Sequence, residues 1–168
     1  GYILELASNR LVWAGHLEYE RLFSSSLIDF FVSPGTYSDR LMGGGGGFMI
    51  PNGTRILNGK GYLHEIDHRT HTYKINDFIT YNPIAPWKNQ EESTAGLKRE
   101  FSLSIINHAH LWCFDMFGGV FSTDETMEIV KQSKEIWDKY YNVPTQNIAE
   151  IALIVDPQSA KLVNDMND

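Results

Sequence analysis

The feature that most constrains this chain is a series of short, nearly uninterrupted apolar runs set between amphipathic or loop-like segments. Leu27-Ile28-Asp29-Phe30-Phe31-Val32-Ser33 is one, stopped by Pro34-Gly35. Tyr62 to Ile66 is a second, and His110-Leu111-Trp112-Cys113-Phe114-Asp115-Met116-Phe117 a third, stopped by Gly118-Gly119. Residues 148–157 form a fourth, and Tyr2 to Leu6 reads as a strand near the start. Each has strand length, and continuity rather than alternation is what a strand covered on both faces of a parallel sheet shows. Helical periodicity falls between them: over 10–23, from a cap at Ser93 or Thr94 to Asn107, over 124–141, and over 159–166. In the helix ending at Asn107, Leu97, Phe101, Leu103 and Ile105 are apolar and Lys98-Arg99-Glu100 polar. Strand and helix in alternation predict an α/β fold with a parallel sheet.

The densest chemistry lies in Gly59-Lys60-Gly61-Tyr62-Leu63-His64-Glu65-Ile66-Asp67-His68-Arg69-Thr70-His71. Eight residues there hold two carboxylates, an arginine and three histidines. His64-Glu65-Ile66-Asp67-His68 fits the H-E-x-x-H zinc pattern, with His71 as a possible third ligand. That pattern works only on a helix, where residues four apart share a face, and Gly59 and Gly61 each cost about 1 kcal/mol in such a helix. A second reading makes the segment a buried strand with Glu65 at its C-terminal end, where catalytic groups of parallel barrels collect. A third makes it a structural strand whose charges pair with neighbours. If it is a strand, Tyr62 and His64 face away from Glu65. Arg69 and Arg40 are candidates to hold the Glu65 carboxylate ionised.

The remaining loops offer fewer leads. Five consecutive glycines at 43–47 invite a phosphate-loop reading, but neither G-K-[ST] nor a helix follows them. A mobile lid or cleft-lining loop, with Tyr37 and Arg40 facing a polar ligand, is expected instead. In Tyr81-Asn82-Pro83-Ile84-Ala85-Pro86-Trp87 the aromatic rings either line a cleft or anchor the loop. Asp115 is the one charge in its apolar run and reads as a paired core carboxylate or a site residue.

Composition narrows the function classes. With 168 residues, 42% hydrophobic and 21% charged, the chain can build one sizeable core. Aromatic content of 12% suits sugar-binding clefts as well as cores. A net charge of −7 argues against nucleic acid and anionic membrane surfaces as partners. No apolar run approaches the roughly 20 residues of a membrane span. Cys113 has no second cysteine to pair with, which fits a reducing, cytoplasmic setting. The chain opens inside an apolar segment and closes just after a new unit begins, so it reads as an internal piece of a longer protein.

Several stretches together resemble the C-terminal half of a clan A glycoside hydrolase barrel, close to the family 42 β-galactosidases and their relatives. They are 28–34 with Tyr37 and Arg40, Gly59-Lys60 leading to His64 through Thr70, and 111–119. Residues 148–157 are similar to the first strand of the Rossmann-like trimerisation domain that follows such barrels. The resemblance implies a half-barrel over 1–143 and the opening of a doubly wound domain over 144–168. It implies a retaining glycosidase that needs no cofactor or metal, with Glu65 matching the nucleophile at the end of the seventh barrel strand. The acid/base glutamate, at the end of the fourth strand, would lie upstream of Gly1, so the piece alone would be inactive. Tyr37, Arg40, Asp67, Arg69, Trp112 and Asp115 are the expected substrate-binding residues, with Trp112 as stacking platform or core side chain. A homo-oligomer, possibly a trimer, is expected. Asp67, His68 and Arg69 depart from the usual neighbours of that nucleophile, which leaves the sugar open. The alternatives from other classes are a zinc hydrolase using His64, His68 and His71, and a non-catalytic assembly domain.

Overall fold

The computed structural model describes residues 18–37, 39–74, 85–115, 118–154 and 156. Within them seven elements follow one another: α1 (Tyr19–Ser24), β1 (Phe30–Pro34), α2 (Asn52–Leu57), β2 (Gly61–Ile66), α3 (Gln90–Ile106), β3 (His110–Cys113) and α4 (Asp124–Tyr140). The three strands form a parallel sheet in the order β1-β2-β3. The expected α/β class with a parallel sheet is therefore present. The strand expected at 2–6, the first part of the helix expected over 10–23 and the helix expected over 159–166 lie outside the described residues, and α1 is the described end of that first helix.

The sheet is covered by helices on one face. Phe31, Tyr62 and Ile66 are at most 1% exposed and point to that side. Tyr19 and Phe23 of α1 pack on Phe31 and Tyr62, with Ile50 and Ala109 completing the cluster. Leu97 and Phe101 of α3 and Ile129 of α4 pack on Ile66, Leu111 and Cys113. The other face carries Phe30, half exposed, Val32 and Leu63, partly buried, and Trp112, 37% exposed. The apolar runs predict strands covered on both sides, whereas burial here alternates along β1 and β3. Continuity of an apolar run reports what a strand can bury; among the described residues only one layer is there to bury it.

The helix ends differ from expectation in an instructive way. Asn89, not Ser93 or Thr94, caps α3, its side chain accepting from the Glu92 N–H at 2.8 Å. Ser93 is buried one turn later and its hydroxyl serves the backbone and ring of His71, each at 3.0 Å. Thr123 caps α4 through the Thr126 N–H. Helix α2 falls in a stretch read as loop, and its Arg55 is buried against the Asn52 side chain and the carbonyls of Lys60 and Asn107. Residues 148–154 form no strand ladder, and Ile148, Ile151, Leu153 and Ile154 are 88–90% exposed. A strand exists only by pairing, and no other described strand pairs with this run.

Candidate active site at the C-terminal end of the sheet

The centre of the motif is a strand. Gly61–Ile66 pairs with β1 on one side and β3 on the other, so His64-Glu65-Ile66-Asp67-His68 does not put His64 and His68 on one helical face. The zinc reading loses its geometry here. Residue type misled the motif match: β2 starts at Gly61 and is flanked by two partner strands, which override a five-residue pattern. His71 is held by Ser93, away from the other two histidines' partners. Among the described residues, no group of three or more His, Cys, Asp or Glu side chains is arranged to hold a metal ion.

Glu65 is the last but one residue of β2, level with Pro34 of β1 and Trp112 of β3. Residues in register on parallel strands point to the same side, so the Trp112 ring and the Glu65 carboxylate share the face away from the helices. Glu65 is 5% exposed. Tyr62 and His64, each 0% exposed, point the opposite way into the helix layer, as the period of two requires. There the Tyr62 hydroxyl lies 2.6 Å from Ser33 Oγ.

Three of the expected residues converge just past β2. Tyr37 Oη donates to Asp67 Oδ2 at 2.9 Å, Arg40 Nη2 lies 2.6 Å from Asp67 Oδ1, and the Arg40 guanidinium sits over the Tyr37 ring at 3.9 Å. Arg40 and Asp67 are both nearly buried, so removing either partner costs more than breaking a surface ion pair. Arg40 also donates to the carbonyls of Thr36 and Gly35, which fixes the turn after β1 against the end of β2. Sequence offers Arg40, after Arg69, as a candidate to hold Glu65 ionised; in the structure its ion pair is with Asp67.

Two more expected residues have contacts of their own. Arg69 places its guanidinium 4.9 Å from the Tyr73 ring centroid. Asp115 accepts from the backbone N–H groups of Gly119 at 2.8 Å and Val120 at 3.3 Å, closing the turn after β3. Trp87 anchors its loop: it is 3% exposed, stacks on His68 at 5.4 Å, and donates from Nε1 to the Arg40 carbonyl.

Beneath this lies a charged cluster that sequence reasoning missed. Glu100 of α3 is 0% exposed, with Arg99 Nε at 2.9 Å and His68 Nε2 at 3.5 Å from its Oε1, and His64 Nε2 at 3.8 Å from its Oε2. His64 Nδ1 is 2.8 Å from Ser104 Oγ. Gly35 lies so close that a Cβ there would be 2.9 Å from His64 Nε2. Burial pushes His64 down to about 4, against a smaller upward pull from the Glu100 charge, and burial likewise lowers His68. Burial acts to raise the Glu100 pKa, but contact with His68 and the charges of His68, Arg99 and His64 outweigh it and bring it to about 2. Near neutrality Glu100 is thus an anion neutralised by Arg99 beside two neutral imidazoles. The stripe Ser93, Gly96, Leu97, Glu100, Phe101, Ser104 runs at spacings of three and four and is buried throughout. That spacing was the available signal, since Glu100 shares a face with Leu97 and Ser104.

The glycine run closes over the cluster and is tied down rather than loose. Gly44 N donates to the Leu41 carbonyl, Gly45 N to the Asp39 carboxylate, Gly46 N to the Asp39 carbonyl, and the Gly47 carbonyl accepts from Thr36 N. Gly46 has φ +70° and a Cβ on it would meet Glu100 Oε1 at 2.7 Å, so both backbone and space require glycine there. The groove between α3 and α4 shares Phe101 with the buried stripe of α3, and the cleft lined by Arg55, Lys60, His108 and Thr145 shares no residue with it. Compared with protein-family models, with curated proteins and with solved structures, the chain matches none.

Proposed function

We propose that this chain carries the nucleophile half of a retaining glycoside hydrolase, with Glu65 as the attacking carboxylate. The observation that carries the reading is the position of Glu65: at the C-terminal end of the middle parallel strand, on the face that none of the described helices covers, level with Trp112. Sequential strand order with α1, α3 and α4 all packed on one face is how a closed barrel is wound, and active sites of such barrels lie at the strands' C-terminal ends. Doubly wound sheets place helices on both faces.

In the reaction, a Glu65 oxygen attacks the anomeric carbon as the glycosidic C–O bond breaks, giving a glycosyl ester through an oxocarbenium-like transition state. A second carboxyl group, about 5–5.5 Å away, protonates the leaving oxygen and then deprotonates the water that hydrolyses the ester. Asp67 is already engaged by Tyr37 and Arg40, so that role belongs to another residue. Trp112 offers an apolar face to the sugar ring, and the Tyr37–Arg40–Asp67 group stands two residues beyond the nucleophile to contact hydroxyl groups.

The test is a panel of aryl glycosides, β-galactoside first, on the full-length natural protein. Glu65→Gln is expected to lower kcat by at least about 10³-fold, as loss of a group acting in the chemical step does. Azide should rescue Glu65→Gly and yield a glycosyl azide of inverted configuration. Full activity in Glu65→Gln would exclude this role.

A further inference from the structure

The Glu100 cluster joins two parts of the site that are otherwise separate. Glu100 Oε1 takes the Arg99 fork at 2.9 Å from Nε and 2.8 Å from Nη2. The same guanidinium donates to three backbone carbonyls of the loop above: Arg40 at 2.8 Å, Leu41 at 3.1 Å and Gly44 at 2.7 Å. One buried carboxylate thereby aims an arginine that holds the stretch from which Arg40 reaches Asp67 and Tyr37. On its other side Glu100 faces His64 and His68, the residues that bracket the segment from Glu65 to Asp67. His64 is braced by Ser104, one turn along α3 from Glu100. Burying such an ion cluster is a poor way to gain stability, because apolar side chains of similar volume do as well or better. What the cluster does supply is fixed geometry.

We propose that Glu100 is a positioning residue, setting from beneath both the Arg40–Asp67 pair and the end of β2 that carries Glu65. The effect on rate rests on the glycosidase reading; the geometric effect does not. A displacement of about 1 Å at reacting groups costs on the order of 10²-fold in rate.

The experiment uses Glu100→Gln in the full-length natural protein, which keeps the side chain's shape and removes its charge, with Arg99→Lys as second variant should the first not fold. Crystal structures of the variants should show Arg40 withdrawn from Asp67. The kcat for the best aryl glycoside should fall by about 10²-fold with KM nearly unchanged. Combined with Asp67→Asn, the loss should not exceed that of the worse single variant, since residues acting as one unit are not additive. An Arg40–Asp67 contact intact in a variant overturns the proposal, as does a loss of thermal stability alone or multiplicative losses in the double variant. Should the natural protein hydrolyse no glycoside, the glycosidase reading falls, and the Arg40–Asp67 distance alone decides the role of Glu100.

Discussion

His64 shows how a single buried side chain ties this fold to pH. In the unfolded chain its imidazole takes up a proton near pH 6.5, while in the fold burial delays that uptake to about pH 4. Across this window the unfolded state binds more protons, so stability falls as pH falls. At about 1.4 kcal/mol per unit, the loss approaches roughly 3 kcal/mol by pH 4. Glu100 acts in the same direction at lower pH: with its pKa brought from 4.5 to about 2, the stability it adds is complete above 4.5 and lost below. Urea midpoints should therefore drop steadily from pH 7 to pH 4, and His64→Gln should flatten the slope. An unchanged slope in that variant would show that His64 titrates normally in the fold.

At the scale of elements, α3 is the decisive piece. It packs unusually small and polar residues inward, and Gly96 is the tightest point: a Cβ there would lie 2.1–2.5 Å from the Trp87 ring. Trp87 cannot retreat freely, since it stacks on His68 and donates to the Arg40 carbonyl. Gly96→Ala should therefore destabilise by about 1–3 kcal/mol, although alanine is the better helix former by about 1 kcal/mol. Thermal melts of Gly96→Ala and of Gly96→Ala with Trp87→Leu check this, the second recovering part of the loss. A gain in stability from Gly96→Ala alone would mean that α3 and the 85–88 segment pack more loosely than described.

For the whole molecule, exposed apolar surface dominates. Among the described residues, Phe30 is half exposed and residues 148–154 present four large aliphatic side chains to solvent. Apolar stretches of this kind promote association with other chains. The isolated 168-residue chain should self-associate at micromolar concentration, and Ile151→Lys with Leu153→Lys should shift it toward the monomer in light scattering. A chain that stays monomeric without the substitutions would show that these surfaces are covered within the molecule.

The sequence by itself determined the α/β class, the strands around Phe31, Tyr62 and Leu111, and the helix over 124–140, because apolar periodicity follows local geometry. It also placed Glu65 at a strand end, since two glycines and a β-rich flank disfavour a helix there. Tertiary structure alone decided the partners. Arg40 goes to Asp67 because the turn at Gly35 and Thr36 carries it across the end of β2, a contact between segments 27 residues apart in sequence (67 minus 40). Glu100 is buried because Arg99 beside it on α3 neutralises it and two neutral histidines from the end of β2 face its oxygens, and no local pattern announces that compensation. Burial of a charge depends on what meets it across the fold, and only the packed chain decides that.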